Sequence, residues 1–330
     1  MGHGGVSART GAAPWPRLVG DIGGTHVRFA WVEGPGDAPG RRWQRAWGDT
    51  GALEPLLDAY RAEQGLPVPA ACAIGVAAPV IDGVSTLTNA GVRIEAAALA
   101  VHLGCSLVRL LNDYTVLAWA LPALAGEDVR AIGGGRAIAG GPCAVLGPGT
   151  GLGVSALLRG PAGAVPLAGE GGHASVSAAD ADEDRLVEWL RRRHGHVSAE
   201  RVLSGPGLVE LYDAVCATAG RSALTLTPPD VLARAATDPD CDAAIERFCA
   251  FLGGFAGNLA LTLGARGGVY VAGGIAARLG GERLERSAFR ERFEAKGRFR
   301  GYLAAIPTAL ILDPAGAALR GANLALDAGA

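Results

Sequence analysis

Lysine is almost missing from this chain. Among 330 residues and 30 basic side chains, Lys296 is the single lysine, and it follows Ala295. A Walker A loop needs Gly-Lys followed by Ser or Thr, and a protein-kinase site needs a lysine on an early strand, so both ways of gripping a nucleotide are excluded. The six cysteines (Cys72, Cys105, Cys143, Cys216, Cys241, Cys249) form no C-x-x-C and no zinc spacing with histidine. They read as buried reduced thiols of a cytoplasmic protein. H-E-x-x-H and G-x-S-x-G are missing too, which removes zinc hydrolysis and serine-hydrolase chemistry. There is no basic excess, the net charge being -2, so neither nucleic acid nor a membrane surface is an expected partner. The opening MGHGGVSARTGAAPWP lacks a signal-peptide apolar run and has Val6 where myristoylation wants Ser or Thr. Residues 1–16 are read as a disordered tail. Residues 137–158 carry no charge and are long enough to span a bilayer. Their six glycines and two prolines make them a strand-loop-strand segment instead.

What is present alternates between apolar strand-like runs and amphipathic helical ones, the pattern of an α/β protein. The length suggests two domains, read as 17–123 joined by a C-terminal helix 314–330, and 124–313. "RLVGDIGG" and "VRFAWVE" read as strands joined at a glycine turn. "ACAIGVAAPV" and "SLVRLLND" read as buried strands, with helices in "IEAAALAVHLG" and "YTVLAWALPAL". "CAVLGPGTGLGVSALL" repeats the strand-turn-strand opening, which suggests duplicated architecture. Asp180 and Glu183 form a candidate capping box, and Cys241 to Ala265 reads as a long buried helix.

Two glycine turns carry the first chemistry. In "GDIGGTHVR", consecutive glycines between strands let backbone N–H groups converge on an anion. Asp21 lacks the second aspartate of a phosphorylated nucleophile, so it is better read as a Mg²⁺ ligand acting through water, since Mg²⁺ keeps several waters and takes one or two carboxylates. In "LGPGTGLGVS" the glycines do not fit G-x-G-x-x-G and a strand follows, which argues against a Rossmann site. Two such turns suit one polyphosphate. Asn112 and Asp113 stand at a strand end where a helix begins, the usual place for ligand-binding groups in open α/β sheets, with helix capping by Asp113 a compatible role. "VAGGI" ends a strand with paired glycines that admit a flat group. "GEGGH" sets Glu170 and His173 around two glycines that disfavour a helix; metal ligation, acid/base work and a plain polar bend are all compatible with that spacing. His194 and His196 read as solvated.

Taken in order, "GDIGGTHVRFA", "LLNDYTVLAWALPAL", "GPGTGLGVS", "GEGGH", "HVSAERVLSGPGLVELY" and "VAGGI" resemble the bacterial glucokinase family of the hexokinase, heat-shock ATPase and actin superfamily. The other sugar-kinase group, the repressor and open-reading-frame kinases, carries a cysteine-rich zinc motif after its sugar-binding histidine, and none follows His173. The resemblance implies a two-domain actin-like ATPase (ribonuclease H-like) fold with an interdomain active-site cleft. It implies glucose and ATP as substrates with Mg²⁺, in a cytoplasmic homodimer. Carried over position by position, Asp113 would be the general base on the sugar 6-hydroxyl, and Asn112, Glu170, His173 and Glu200 would hold other hydroxyls. Gly23, Gly24, Thr25, Gly149, Thr150 and Gly151 would cradle phosphates, and Gly273 and Gly274 would lie beside the adenosine. Val92 replaces a tryptophan usual in similar enzymes, and "DPAGAALRGA" is a looser version of the family's last turn. Another sugar or phosphoryl donor, or a non-catalytic glucose-binding regulator, are the alternatives.

Overall fold

Antiparallel strands β1 (Arg17–Ile22) and β2 (His26–Val32) close the first glycine turn, in a register that sets Asp21 opposite Arg28. A side chain at Gly20 would be crowded, its Cβ coming within 3.1 Å of Phe29 Cδ1. The structure is a computed structural model describing residues 13–48, 51–87, 90–161 and 163–328. Its chain divides into two units. The first takes the described residues through Leu124 with 160–166 and those from Asp313 onward; the second takes 125–159 and 167–312.

In the first unit, β3 (Gly40–Ala46), β4 (Ala71–Val76) and β8 (Val108–Asn112) complete a five-stranded sheet ordered β3-β2-β1-β4-β8. β5 (Val80–Ile81), β6 (Val84–Leu87) and β7 (Val92–Glu95) form a small separate sheet that buries Val92; Thr88 and Asn89 beside it lie outside the described residues. All six residues of β4 are buried because both sheet faces are covered. Leu18, Phe29, Cys72 and Ile74 pack with Leu57 and Tyr60 of α1 (Glu54–Gln64) and with Leu99 of α2 (Ala96–Leu103). Val19, Ala30, Ala71 and Ala73 pack with Val116 of α3 (Asp113–Ala120) and with Ala318, Leu319 and Ala322 of the C-terminal helix (Pro314–Asp327). Small residues dominate that face, and at Gly321 a Cβ would lie 2.0 Å from Val116 O, so the two helices meet backbone to backbone. β8, expected to be buried, is instead the half-buried edge strand.

The expected tail is also shorter than 1–16 among the described residues. Ala13 is buried and its N–H donates to Leu326 O at 3.2 Å. The fully buried Arg17 guanidinium donates to Ala13 O, Asn323 Oδ1 and Asp327 Oδ1 at 2.6, 2.9 and 2.6 Å and stacks on Trp15. A buried cation must find acceptors, and residues 13–16 are held in place by supplying some of them. Residues 1–12 lie outside the described residues.

The second unit repeats the pattern. β10 (Cys143–Pro148) pairs antiparallel with β11 (Leu152–Gly160) and parallel with β13 (Gly268–Val271), as β1 pairs with β2 and β4. With β9 (Val129–Gly133) and β14 (Thr308–Ile311) the sheet order is β11-β10-β13-β14-β9, while β12 (Gly163–Ala168) straddles the division at 166/167. Helices α4 (Ala181–His194), α5 (Gly205–Thr218), α6 (Pro228–Arg234), α7 (Pro239–Leu263), α8 (Gly274–Arg286), α9 (Phe289–Glu294) and α10 (Arg300–Ala304) supply the remaining core. α7 carries Gly253 against the backbone of Phe289, where a Cβ would meet O at 2.0 Å, which lets α9 approach closely. The Asp180 cap forms, its carboxylate accepting from Glu183 N–H, but Glu183 reaches back to Ala179 N–H rather than to the cap itself. Glu183 is fully buried because it also receives both guanidinium nitrogens of Arg292. All six cysteines are buried and free, and no helix among the described residues is long and apolar enough to cross a membrane.

Candidate active site

Three of the predicted groups stand at the carboxyl ends of β1 and β8 in the first unit. Gly23 and Gly24 follow β1; the turn closes through Gly23 N–H to His26 O at 2.9 Å, with Gly24 and Thr25 exposed. Asp21 Oδ2 receives Arg28 Nη1 at 2.9 Å, and Arg28 is fixed in turn by Nε donating to Gln44 Oε1 at 2.9 Å. Burial pushes the Asp21 carboxyl above its usual range, opposed by the Arg28 charge and hydrogen bond. Asn112, not Asp113, caps α3: its Oδ1 accepts from the N–H groups of Tyr114 and Thr115 at 3.0 and 3.2 Å. Asp113 is therefore the first helical residue, with Oδ1 accepting from Tyr114 N–H at 2.9 Å. Gly75 on β4 packs beside it, where a Cβ would lie in ordinary contact with Asp113 Cα at 3.5 Å and tightly against Val116 Cγ2 at 3.1 Å. Burial first, and the negative charge of Asp21 second, lift the Asp113 carboxyl to about 7, against the pull of backbone and Asn112 hydrogen bonds. A carboxylate tuned to neutrality suits a general base.

In the second unit the remaining groups form one connected structure. The turn at Gly149, Thr150 and Gly151 joins β10 to β11, closed by Gly149 N–H to Gly151 O at 2.8 Å, with Thr150 exposed. Gly149 O accepts from Gly205 N–H at the start of α5, also at 2.8 Å. Glu200 reaches the same turn: its Oε2 accepts from Leu152 N–H at 2.8 Å, and a Cβ on Gly151 would lie 2.4 Å from that oxygen. Glu200 N–H donates to Gly172 O at 2.9 Å, which ties it to the "EGGH" segment. That segment is a single 3₁₀ turn over Gly171–His173 with Glu170 before it, and both Glu170 and His173 are exposed. Gly172 is required by contact with β11, because a Cβ there would meet Leu152 O at 2.2 Å, and one at Gly171 would be crowded at 3.0 Å from Val154 Cγ1. Gly273, at φ +88, presses against β10, where a Cβ would meet Pro148 O at 2.4 Å, and Gly274 opens α8.

The glucokinase family profile matches residues 18–328. The chain belongs to the glucokinase family. A glucokinase of Aromatoleum aromaticum is 48% identical over 316 residues, covering 95% of each chain. One of Chromobacterium violaceum is 46% identical, covering 90% of this chain and 85% of its own. Among solved structures, a glucokinase from an Antarctic psychrotroph is 34% identical with a TM-score of 0.87, covering 94% of this chain and 98% of that one. A Streptomyces griseus glucokinase of the repressor and open-reading-frame kinase group, solved with glucose and AMPPNP, superposes at a TM-score of 0.63 with 20% identity, over 94% of this chain and 98% of that one. At that identity the likeness speaks for the fold, which is that of the actin-like ATPases.

Within this glucokinase-family chain, sequence reading overlooked Trp47, whose indole N–H donates to Gly23 O at 2.8 Å. It also missed Gln44 behind Arg28 and the strut that Glu200 makes to Leu152. His194 is not solvated as expected: its Nε2 lies 2.6 Å from Glu210 Oε2 and the pair is half-buried, while His196 is exposed beside Ser175. The lone lysine serves the scaffold, Lys296 Nζ donating to Gly254 O of α7 at 2.9 Å.

Proposed function

We propose that this glucokinase-family chain transfers the γ-phosphoryl group of ATP to the 6-hydroxyl of glucose, with Asp113 as the general base. The observation that carries this reading is the Asp113 carboxylate, lifted to about 7 by burial and by Asp21 at the carboxyl end of the sheet. Phosphoryl transfer asks a protein mainly to align the nucleophile and to spread negative charge. In this reading Asp113 takes the hydroxyl proton, while Asn112, Glu170, His173 and Glu200 orient the sugar. The Asn112 amide nitrogen, which also hydrogen-bonds Asp113, and the second Glu200 oxygen serve that purpose, since capping and Leu152 occupy the other oxygens. Gly23, Gly24, Thr25, Gly149, Thr150 and Gly151 receive the phosphates, and Gly273 and Gly274 flank the adenosine. Asp21 fits an outer-sphere contact to Mg²⁺, because it is a hard oxygen donor with one oxygen already on Arg28. When bound, Mg²⁺ would neutralise phosphate charge.

We place the chain with the bacterial glucokinases rather than the repressor and open-reading-frame kinases, supported by 46 to 48% identity to the former against 20% to a member of the latter. A cytoplasmic homodimer is the corresponding assembly, testable by light scattering. Purified protein should convert glucose and MgATP to glucose 6-phosphate. Asp113→Asn should lower kcat by about 10²- to 10⁴-fold with the fold intact by circular dichroism. Glu170→Ala and His173→Ala should raise the glucose KM and leave ATP affinity nearly unchanged. A fully active, folded Asp113→Asn enzyme would sink the assignment of the base.

A further inference from the structure

Trp47 lies just beyond β3, buried in the same cluster as Ile22 and Phe29. It holds the first glycine turn at two points. Its indole Nε1–H donates to Gly23 O at 2.8 Å and its backbone N–H donates to Thr25 O at 3.3 Å. A trans peptide is planar, with its C=O and N–H pointing in opposite directions, and the bond from Gly23 to Gly24 is not among the cis bonds of this chain. Fixing Gly23 O on the Trp47 side therefore turns the Gly24 N–H to the other side. Gly24 is exposed, so this N–H stands available to an anion.

We propose that Trp47 is a positioning residue for phosphoryl-donor binding: its indole N–H sets the Gly23–Gly24 peptide plane so that the Gly24 N–H faces the phosphate chain. This rests on the reading of Gly23, Gly24 and Thr25 as a phosphate cradle. Glycines pay the largest backbone entropy on ordering, and two in succession would sample many peptide orientations. The indole bond removes that freedom before ATP arrives, which is preorganisation in the ordinary sense.

The test compares Trp47→Phe, which keeps a buried ring but lacks the donor, with Thr25→Ala, which alters the cradle itself. ATP and glucose constants are measured by steady-state kinetics, and inorganic tripolyphosphate is used as a competitive probe. Trp47→Phe should raise the ATP KM and the tripolyphosphate inhibition constant about three- to tenfold, the scale of one lost hydrogen bond. The glucose KM should stay within about twofold, because the lost bond belongs to the phosphate turn alone. A parallel rise in both substrate constants would assign Trp47 a merely structural role and overturn the proposal. If Thr25→Ala weakens ATP while Trp47→Phe does not, the proposal fails and the cradle stands. If neither variant affects ATP, the cradle reading fails and takes the proposal with it. Should Trp47→Phe not fold, benzothienylalanine at position 47 keeps the tryptophan shape without the N–H, and the same outcomes apply.

Discussion

Asp113 concentrates the residue-scale consequences. As the proposed base, Asp113 with its carboxyl near 7 would lose its active form below that pH, and kcat/KM should then fall about tenfold per pH unit on the acid side. Asp21→Asn removes the negative charge that helps raise Asp113, and the acid limb should then move to lower pH, whatever happens to the maximal rate. The same shift affects folding. Between the ordinary value of 3.8 and about 7 the folded chain holds a proton that the unfolded chain has released. Stability therefore falls as pH rises through that window and levels off above it. Asp113→Asn should raise Tm at pH 8 and leave it unchanged near pH 3.5, as calorimetry can check. An acid limb unmoved by Asp21→Asn would show that the two carboxylates do not sense each other.

At the scale of elements, turns are fitted to strands by atoms that are missing. Gly172 lies where a methyl group would meet the Leu152 carbonyl at 2.2 Å, and a backbone oxygen cannot swing away as a side chain would. Gly172→Ala should cost about 1–3 kcal/mol, seen as a Tm several degrees lower, together with a higher glucose KM. An unchanged glucose KM would detach the turn from the sugar. The contact between α4 and α9 depends on charge instead. Glu183 is fully buried and both of its oxygens receive Arg292. Glu183→Ala would leave that half-buried guanidinium without its partner and should destabilise the protein by about 1–3 kcal/mol in urea unfolding. A variant that also replaces Arg292 with an apolar residue should recover much of that loss.

At the scale of the whole molecule, residues 13–17 meet the C-terminal helix within the first unit. Arg17 donates to Asn323 and Asp327, and Arg109 donates to the carbonyls of Ala325 and Ala328 at the end of the C-terminal helix. Cations at a helix C-terminus are favourable, and Ala318, Leu319 and Ala322 fill the face of β1 and β4. Truncation after Leu312 should therefore expose arginines of the first unit to trypsin while the second unit, which lacks this helix, yields a protected fragment. A first unit that resists trypsin without the helix would contradict this dependence.

Much of this protein was legible from residues close together in the chain. The two glycine turns and the long buried α7 follow from demands that neighbours in sequence impose on one another. So does the start of α3, although it is Asn112 rather than Asp113 that supplies the cap, a choice decided by which side chain can fold back onto the free N–H groups. Other properties were decided by tertiary structure. The proton affinity of Asp113 depends on burial and on Asp21, brought near by the pairing of β1, β4 and β8. The placement of residues 13–16 depends on a buried arginine, and that of the Gly23 carbonyl on an indole beyond the next strand. Desolvation and through-space charge follow from which distant segments come together, and no local pattern records them.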